Sequence, residues 1–228
     1  MKRQVILTAD GSKTIFLPEW NEHYHSKHGA IQEALHVFIK HGLHYTLACH
    51  SELDSESKKR ISILEIGFGT GLNAFLTALE ASKLNLEIDY TGVEAYPVKQ
   101  EEIKSLNYAE SQEEKILFQN LHEAEWAKPS EISSQFTLEK QELFFHQIEA
   151  ENTFDLIYFD AFGARVQPEL WTETIFEIMF KALKSKGILV TYAAKGSVRR
   201  AMQAVGFSVK KLPGPPGKRE MLRALKGA

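Results

Sequence analysis

A chain of 228 residues with a single cysteine, Cys49, has no partner for an internal disulfide and no thiolate set for a metal cage. Standing alone, Cys49 reads as a small, buried or half-buried apolar side chain. No apolar stretch approaches the ~20 residues needed to cross a bilayer. The opening "MKRQVILTADGS" reaches turn residues too early for a secretory signal, so the chain is expected to be soluble and cytoplasmic, with no membrane partner. Internal repeats are lacking, and the only biased segment is "PGPPGKRE" near the end. Acids almost vanish from the last fifth: from Lys181 onward, twelve Lys or Arg face one acid, Glu220, although the whole chain carries −3. Such a basic face attracts phosphates by counterion release, and it equally suits a solvated surface.

What is present is ordinary globular composition, 43% hydrophobic and 25% charged, at a length that suits one domain with a small appendage. "QVILTADGSKTIFL" places two β-rich runs around Asp10-Gly11 and predicts a hairpin. Ile31, Ala34, Leu35, Phe38 and Ile39 form the stripe of an amphipathic helix. Polar "SELDSESKKR" (51–60) reads as a linker, dividing an amino-terminal β-hairpin and helix extension (1–60) from the main domain (61–228). Beyond it, "ISILEIG", "LEIDYTGVE", "FDLIYFDAF" and "GILVTYAA" read as strands. Helical patterns follow at Leu72–Leu79, "PVKQEEIKSLN", Ile175–Leu183 and Val198–Val205, while 109–150 holds an acidic helix and β-like "FTLEKQELFFHQI". Strands alternating with helices predict an α/β fold, a parallel sheet covered on both faces.

The chemistry concentrates in "ILEIGFGTGLNAF". Glu65, Gly67, Gly69 and Gly71 stand at alternate positions, which departs from the G-x-G-x-x-G of a dinucleotide turn. Bare backbone there admits a ligand to van der Waals contact, and the helix opening at Leu72, with Asn73 in its first turn, offers free amides to a carboxylate. Glu94 closes the second strand, where an acceptor can take both hydroxyls of a ribose. Asp160 ends a strand whose preceding residues, Leu156 to Phe159, are apolar, so its charge needs a cation or donors. It suits an acceptor for a nucleophilic amine, or a loop cap.

Together these features, over roughly residues 61–212, resemble class I S-adenosylmethionine-dependent methyltransferases. The resemblance implies a Rossmann-like, mostly parallel seven-stranded sheet with helices on both faces, and S-adenosyl-L-methionine as cofactor. Glu65, Gly67, Gly69, Gly71, Asn73, Glu94 and Asp160 would hold it. The adenine amine would meet a polar residue of "LFFHQI", either His146 or Gln147; Gln147 can accept through its amide oxygen.

"NEHYHSKHGAIQEA", "LEIGFGTGLN", "FDAF...PELWT", "AAKGSVRRAMQAVGF" and "KLPGPPGKREML" sharpen the resemblance, to the methyltransferase component of tRNA 5-methylaminomethyl-2-thiouridine biosynthesis bifunctional proteins, and most of all to its stand-alone form. That family methylates the aminomethyl group on the wobble uridine of tRNA. Its bifunctional members carry a flavin oxidase that exposes the amine; with the sequence ending at Ala228, a separate enzyme is expected to supply it. By the same resemblance Asp160 is the catalytic residue, facing the amine. Tyr24, His25 and Phe162 would wall the substrate pocket, with Glu33 at its edge. Lys195, Arg199, Arg200, Lys218 and Arg219 would meet the RNA backbone, and Trp171 suits either base stacking or the core. His23, His25 and His28 lack a neighbouring cysteine and an i, i+4 pair, so no metal is expected. Two alternatives remain. One is an aminopropyltransferase of the polyamine type, though Thr70 stands where those enzymes typically have an Asp; the other is a non-catalytic RNA-binding subunit.

Overall fold

The computed structural model describes residues 2–50 and 60–227, so the expected linker lies, except for Arg60, outside the described residues. β1 (Gln4–Leu7) and β2 (Lys13–Leu17) pair antiparallel around a turn in which Gly11 takes a φ of +83°. The hairpin is as expected, and a short third strand, β3 (Glu22–His23), joins it through β2.

Next comes one helical segment in three parts: α1 (Ala30–Ala34), a π-helical stretch (Leu35–His44) and α2 (Tyr45–His50). The π winding corrects the sequence reading. Its wider turn rotates the stripe, so Phe38 and Ile39 stay buried while Leu35 is 43% exposed. Gly42 lets this helix approach the sheet closely, since a Cβ there would lie 3.0 Å from the ring of Tyr158. Cys49 is exposed, contrary to the expected burial, because α2 turns that side away from the core.

The main sheet is built from β4 (Arg60–Ile66), β5 (Glu87–Val93), β6 (Ser130–Ser133), β7 (Phe136–Gln141), β8 (Phe154–Phe159), β9 (Leu183–Thr191), β10 (Ser208–Pro213) and β11 (Glu220–Leu225). Their order is β10-β11-β9-β8-β4-β5-β7-β6. The five central strands are parallel, whereas β6, β10 and β11 pair antiparallel at the edges. The sheet has eight strands where the resemblance implied seven, and β4, β5, β7, β8 and β9 are those read from the sequence itself. The local sequence patterns did not reveal β10 and β11, which flank the glycine-proline loop.

Helices cover both faces. α3 (Leu72–Leu84), α5 (Gln112–Glu123) and the π-helical segment bury one side of the sheet against Ile61, Ile63 and Tyr158. α6 (Glu173–Ala182) and α7 (Gly196–Ala204) bury the other, against Leu64, Ile66, Ile157 and Phe159. The alternation of neighbouring strand residues between two cores is the pattern of a doubly covered sheet. α4 (Gln100–Ile103) is a single turn, and α5 starts on a capping box between Ser111 and Glu114.

The chain runs from β4 outward through β5 to β7, then returns to add β8 and β9 on the opposite side of β4. A crevice therefore opens between the carboxyl ends of β4 and β8, where Asp160 N donates to Ile66 O at 2.9 Å. The small amino-terminal sheet sits beside it: Arg3 donates to Tyr96 O and Glu102 Oε2, at 2.9 and 3.1 Å.

Candidate functional site

The crevice is a cleft of about 1000 Å³, at the upper end for small-molecule sites and roomy enough for two ligands side by side. Gly67 and Gly69 line its floor with φ of +88° and +51°; Gly71, at +70°, caps α3 behind them, where a Cβ would lie 3.0 Å from the His122 ring. These left-handed conformations explain the alternating glycines. A Cβ on Gly67 would lie 2.8 Å from the main-chain oxygen of Asp160, and one on Gly69 would lie 3.1 Å from the ring of Tyr24. Gly67 N and Phe68 N both donate to Val93 O, each at 3.0 Å, which ties the loop to the end of β5.

Glu94 follows directly. Its two carboxylate oxygens accept from Gly69 N at 3.0 Å and Tyr96 N at 2.9 Å, so the group is fixed by main chain and keeps lone pairs for a ligand. Beyond it, Tyr96, Phe144 and His146 make an aromatic flank. Phe144 and His146 stack at 5.7 Å, and Tyr96 meets Phe144 edge-on at 5.9 Å. His146 lines the cleft. Gln147, the other candidate for the adenine contact, does not: its amide oxygen accepts from Phe144 N at 2.8 Å, closing its own turn.

On the other flank lies Asp160. Burial pushes its carboxyl up to about 7, with Glu33 adding to the effect and the Asn73 hydrogen bond and Lys218 opposing it. Asn73 Nδ2 donates to Asp160 Oδ2 at 2.9 Å and to Glu65 Oε1 at 2.8 Å, while Tyr90 OH donates to Glu65 Oε2 at 2.8 Å. Burial also lifts the Glu65 carboxyl well above the ordinary range. Above Asp160 stand Tyr24, Phe162 and Trp20; both Tyr24 and Trp20 meet Phe162 edge-on, at 5.0 and 5.6 Å. Burial holds His25 neutral, down to about 4, with Nδ1 3.1 Å from Thr14 Oγ1. Burial likewise pushes the Tyr24 hydroxyl up to about 12.

Several expected contacts fall elsewhere. Glu33 is buried beneath the cleft, accepting from Ser26 N at 2.8 Å and pairing with Lys218. Lys218, half-buried, also lies 3.8 Å over the Tyr192 ring, so its charge is shared between that ring and Glu33. Trp171 is 5% exposed and donates to Phe162 O at 2.7 Å, which makes it a support for Phe162 and removes it as a base-stacking surface. Lys195 and Arg200 are exposed at the start of α7 and Arg219 is exposed on the β10–β11 loop, all outside the cleft lining; Arg199 is half-buried. His23 stacks on Phe16 and His28 sits against Gly217. Among the described residues no three His, Cys, Asp or Glu converge to hold a metal ion.

Trp20, Tyr96, Phe144 and Tyr192 were not singled out from the sequence. Tyr192 was the most accessible to such reasoning, since it follows the carboxyl end of β9, where open α/β sheets place ligands. Nothing in the sequence distinguished Trp20 from a core residue.

Comparisons with known proteins agree with this geometry. The family model described as S-adenosyl-L-methionine-dependent methyltransferase matches residues 117–227. The tRNA 5-methylaminomethyl-2-thiouridine biosynthesis bifunctional protein MnmC of Campylobacter fetus is 32% identical over 76% of this chain and 30% of that protein. Its counterpart from Cupriavidus metallidurans is 28% identical over 95% and 33%. The chain thus spans about a third of the length of these relatives. The crystal structure of MnmC2 from Aquifex aeolicus superposes with a TM-score of 0.80 at 26% identity, covering 98% of this chain and 70% of that one. The left-handed glycine floor, the backbone-held Glu94 and the room beside Asp160 fit an adenosyl cofactor, and the chain belongs to the S-adenosyl-L-methionine-dependent methyltransferases, in the family of the MnmC methyltransferase component.

Proposed function

We propose that this protein N-methylates the 5-aminomethyl group of the wobble (2-thio)uridine of tRNA, giving 5-methylaminomethyl-(2-thio)uridine. When bound, S-adenosyl-L-methionine supplies an electrophilic methyl group together with its leaving group. Gly67, Gly69 and Glu94 would hold it, the glycines through close main-chain approach and Glu94 through its remaining lone pairs toward a ribose. The Tyr96, Phe144 and His146 flank would take the adenine.

The observation that carries the reading is Asp160, an acceptor facing the same cleft as the glycine floor. An alkylammonium, with a pKa of about 10 by the lysine reference, must lose a proton before its nitrogen attacks. A carboxyl group raised to about 7 sits near the pH at which it can exchange protons in either direction. Asp160 thus draws in the ammonium and accepts its proton, while the enclosing walls align the nitrogen for displacement. Trp20, Tyr24 and Phe162 give a flat base an apolar face on the Asp160 side. Lys195, Arg199, Arg200 and Arg219 would meet phosphates outside the cleft. Thr70 is buried and accepts from Tyr108 OH at 3.2 Å, so the glycine loop lacks the acid expected of an aminopropyltransferase.

The test is methyl transfer from labelled S-adenosyl-L-methionine to tRNA bearing 5-aminomethyl-2-thiouridine, followed by nucleoside analysis. Label in 5-methylaminomethyl-2-thiouridine supports the reading; label in another nucleoside, or none, contradicts it.

A further inference from the structure

Asn73 entered the sequence reading as a cofactor contact, but its surroundings give it other work. The side chain is 2% exposed, and its amide nitrogen has two hydrogens, which reach Glu65 Oε1 at 2.8 Å and Asp160 Oδ2 at 2.9 Å. Its own oxygen has no partner among the described residues. Reversing the amide would set that oxygen against two carboxyl groups, so the two acids dictate which way it points. Glu65 is anchored in turn by Tyr90 OH, and Tyr90 sits in β5, directly beside β4.

We propose that Asn73 is a positioning residue for Asp160: anchored on Glu65, it commits Asp160 Oδ2 as an acceptor and leaves Oδ1 to receive the proton of the substrate ammonium. This rests on the amine-methylating reading of the cleft. Because Oδ2 already accepts a hydrogen bond, a proton taken up by Asp160 resides on Oδ1. One N–H bond to the amine breaks, one O–H bond forms on Oδ1, and the nitrogen keeps the electron pair with which it attacks. The bridge also fixes the carboxyl plane, so the free oxygen keeps one direction between turnovers.

Other charges act on Asp160 as well. Glu33, reaching in from α1, and Glu65 and Tyr90, from β4 and β5, disfavour a second negative charge, and Tyr192 after β9 lies close by. Lys218, from the β10–β11 loop, opposes them. Only Asn73 among these touches Asp160 through a hydrogen bond that favours the carboxylate.

The experiment is a carboxyl-carbon NMR titration of Asp160 in the folded chain, wild type against Asn73→Leu, with Asn73→Ala as the second variant should the first not fold. Loss of one hydrogen bond to a charged group should raise the Asp160 midpoint by about one pH unit. In the transfer assay the kcat profile should move alkaline by the same amount, with KM for S-adenosyl-L-methionine nearly unchanged. An unmoved midpoint overturns the proposal, as does a loss confined to cofactor affinity, which would make Asn73 a binding residue. The titration needs no turnover, so it stands apart from whether tRNA is the substrate.

Discussion

Replacing Asp160 with Asn should make the protein more stable and less active, by an amount that depends on pH. In the folded chain burial lifts this carboxyl from 3.8 to about 7. For an acid raised in this way, the folded state keeps its proton over a range in which the unfolded chain has already lost it. The stability this contributes is fully present below about pH 4 and is lost as pH rises to about 7. Three pH units at 1.36 kcal/mol each give an upper figure of about 4 kcal/mol. Asp160 borders an open cleft, and screening by water there reduces this to about 2 kcal/mol. The amide of Asp160→Asn carries no charge and can still accept from Asn73, so the variant escapes the loss. Urea denaturation of the two proteins should agree closely near pH 4.5 and differ by about 2 kcal/mol, in favour of Asp160→Asn, near pH 8. In thermal melts at the higher pH the same difference is about 4–8 °C. Methyl transfer by the variant should be lost. Equal stability at both pH values, or a gain independent of pH, would refute the idea that burial of this carboxyl sets its ionisation.

Gly67→Ala forces a left-handed residue and a 2.8 Å approach to the Asp160 main-chain oxygen, so the urea midpoint should fall by an amount worth about 2 kcal/mol and cofactor affinity should drop at least about tenfold. Trp20→Ala should raise KM for tRNA roughly tenfold, the scale of one base–aromatic stack, while leaving calorimetric affinity for S-adenosyl-L-methionine intact. Charge reversal of Arg199 and Arg200 should weaken tRNA binding and flatten its dependence on salt by about one unit of log–log slope per lost phosphate contact, read by filter binding at several ionic strengths.

The sequence carried the sheet and the position of the glycine loop after β4 well because both depend on local rules. Alternating glycines, an acid at each strand end and apolar runs of strand length leave few other arrangements, and Gly67, Glu94 and Asp160 lie together as read. What stayed hidden depends on partners distant in sequence. Lys218 is drawn inward by Glu33, 185 positions away, and no composition count reveals that pairing. Trp171 finds its acceptor in the main chain of Phe162, so an aromatic placed for RNA becomes a brace for the cleft wall. Gln147 loses its amide oxygen to the turn it closes, leaving His146 toward the ligand. Leu35 shows the limit of periodicity itself: ten π-helical residues break the 3.6 spacing on which its burial was predicted.

The most direct check is isothermal calorimetry of the folded protein with S-adenosyl-L-methionine and with its demethylated product. One saturable site per chain in the wild type, lost in Gly67→Ala and weakened in Glu94→Ala, is the expected result. No heat with either compound, or equal affinity in all three proteins, would place the methyl donor somewhere other than the glycine floor beside Asp160.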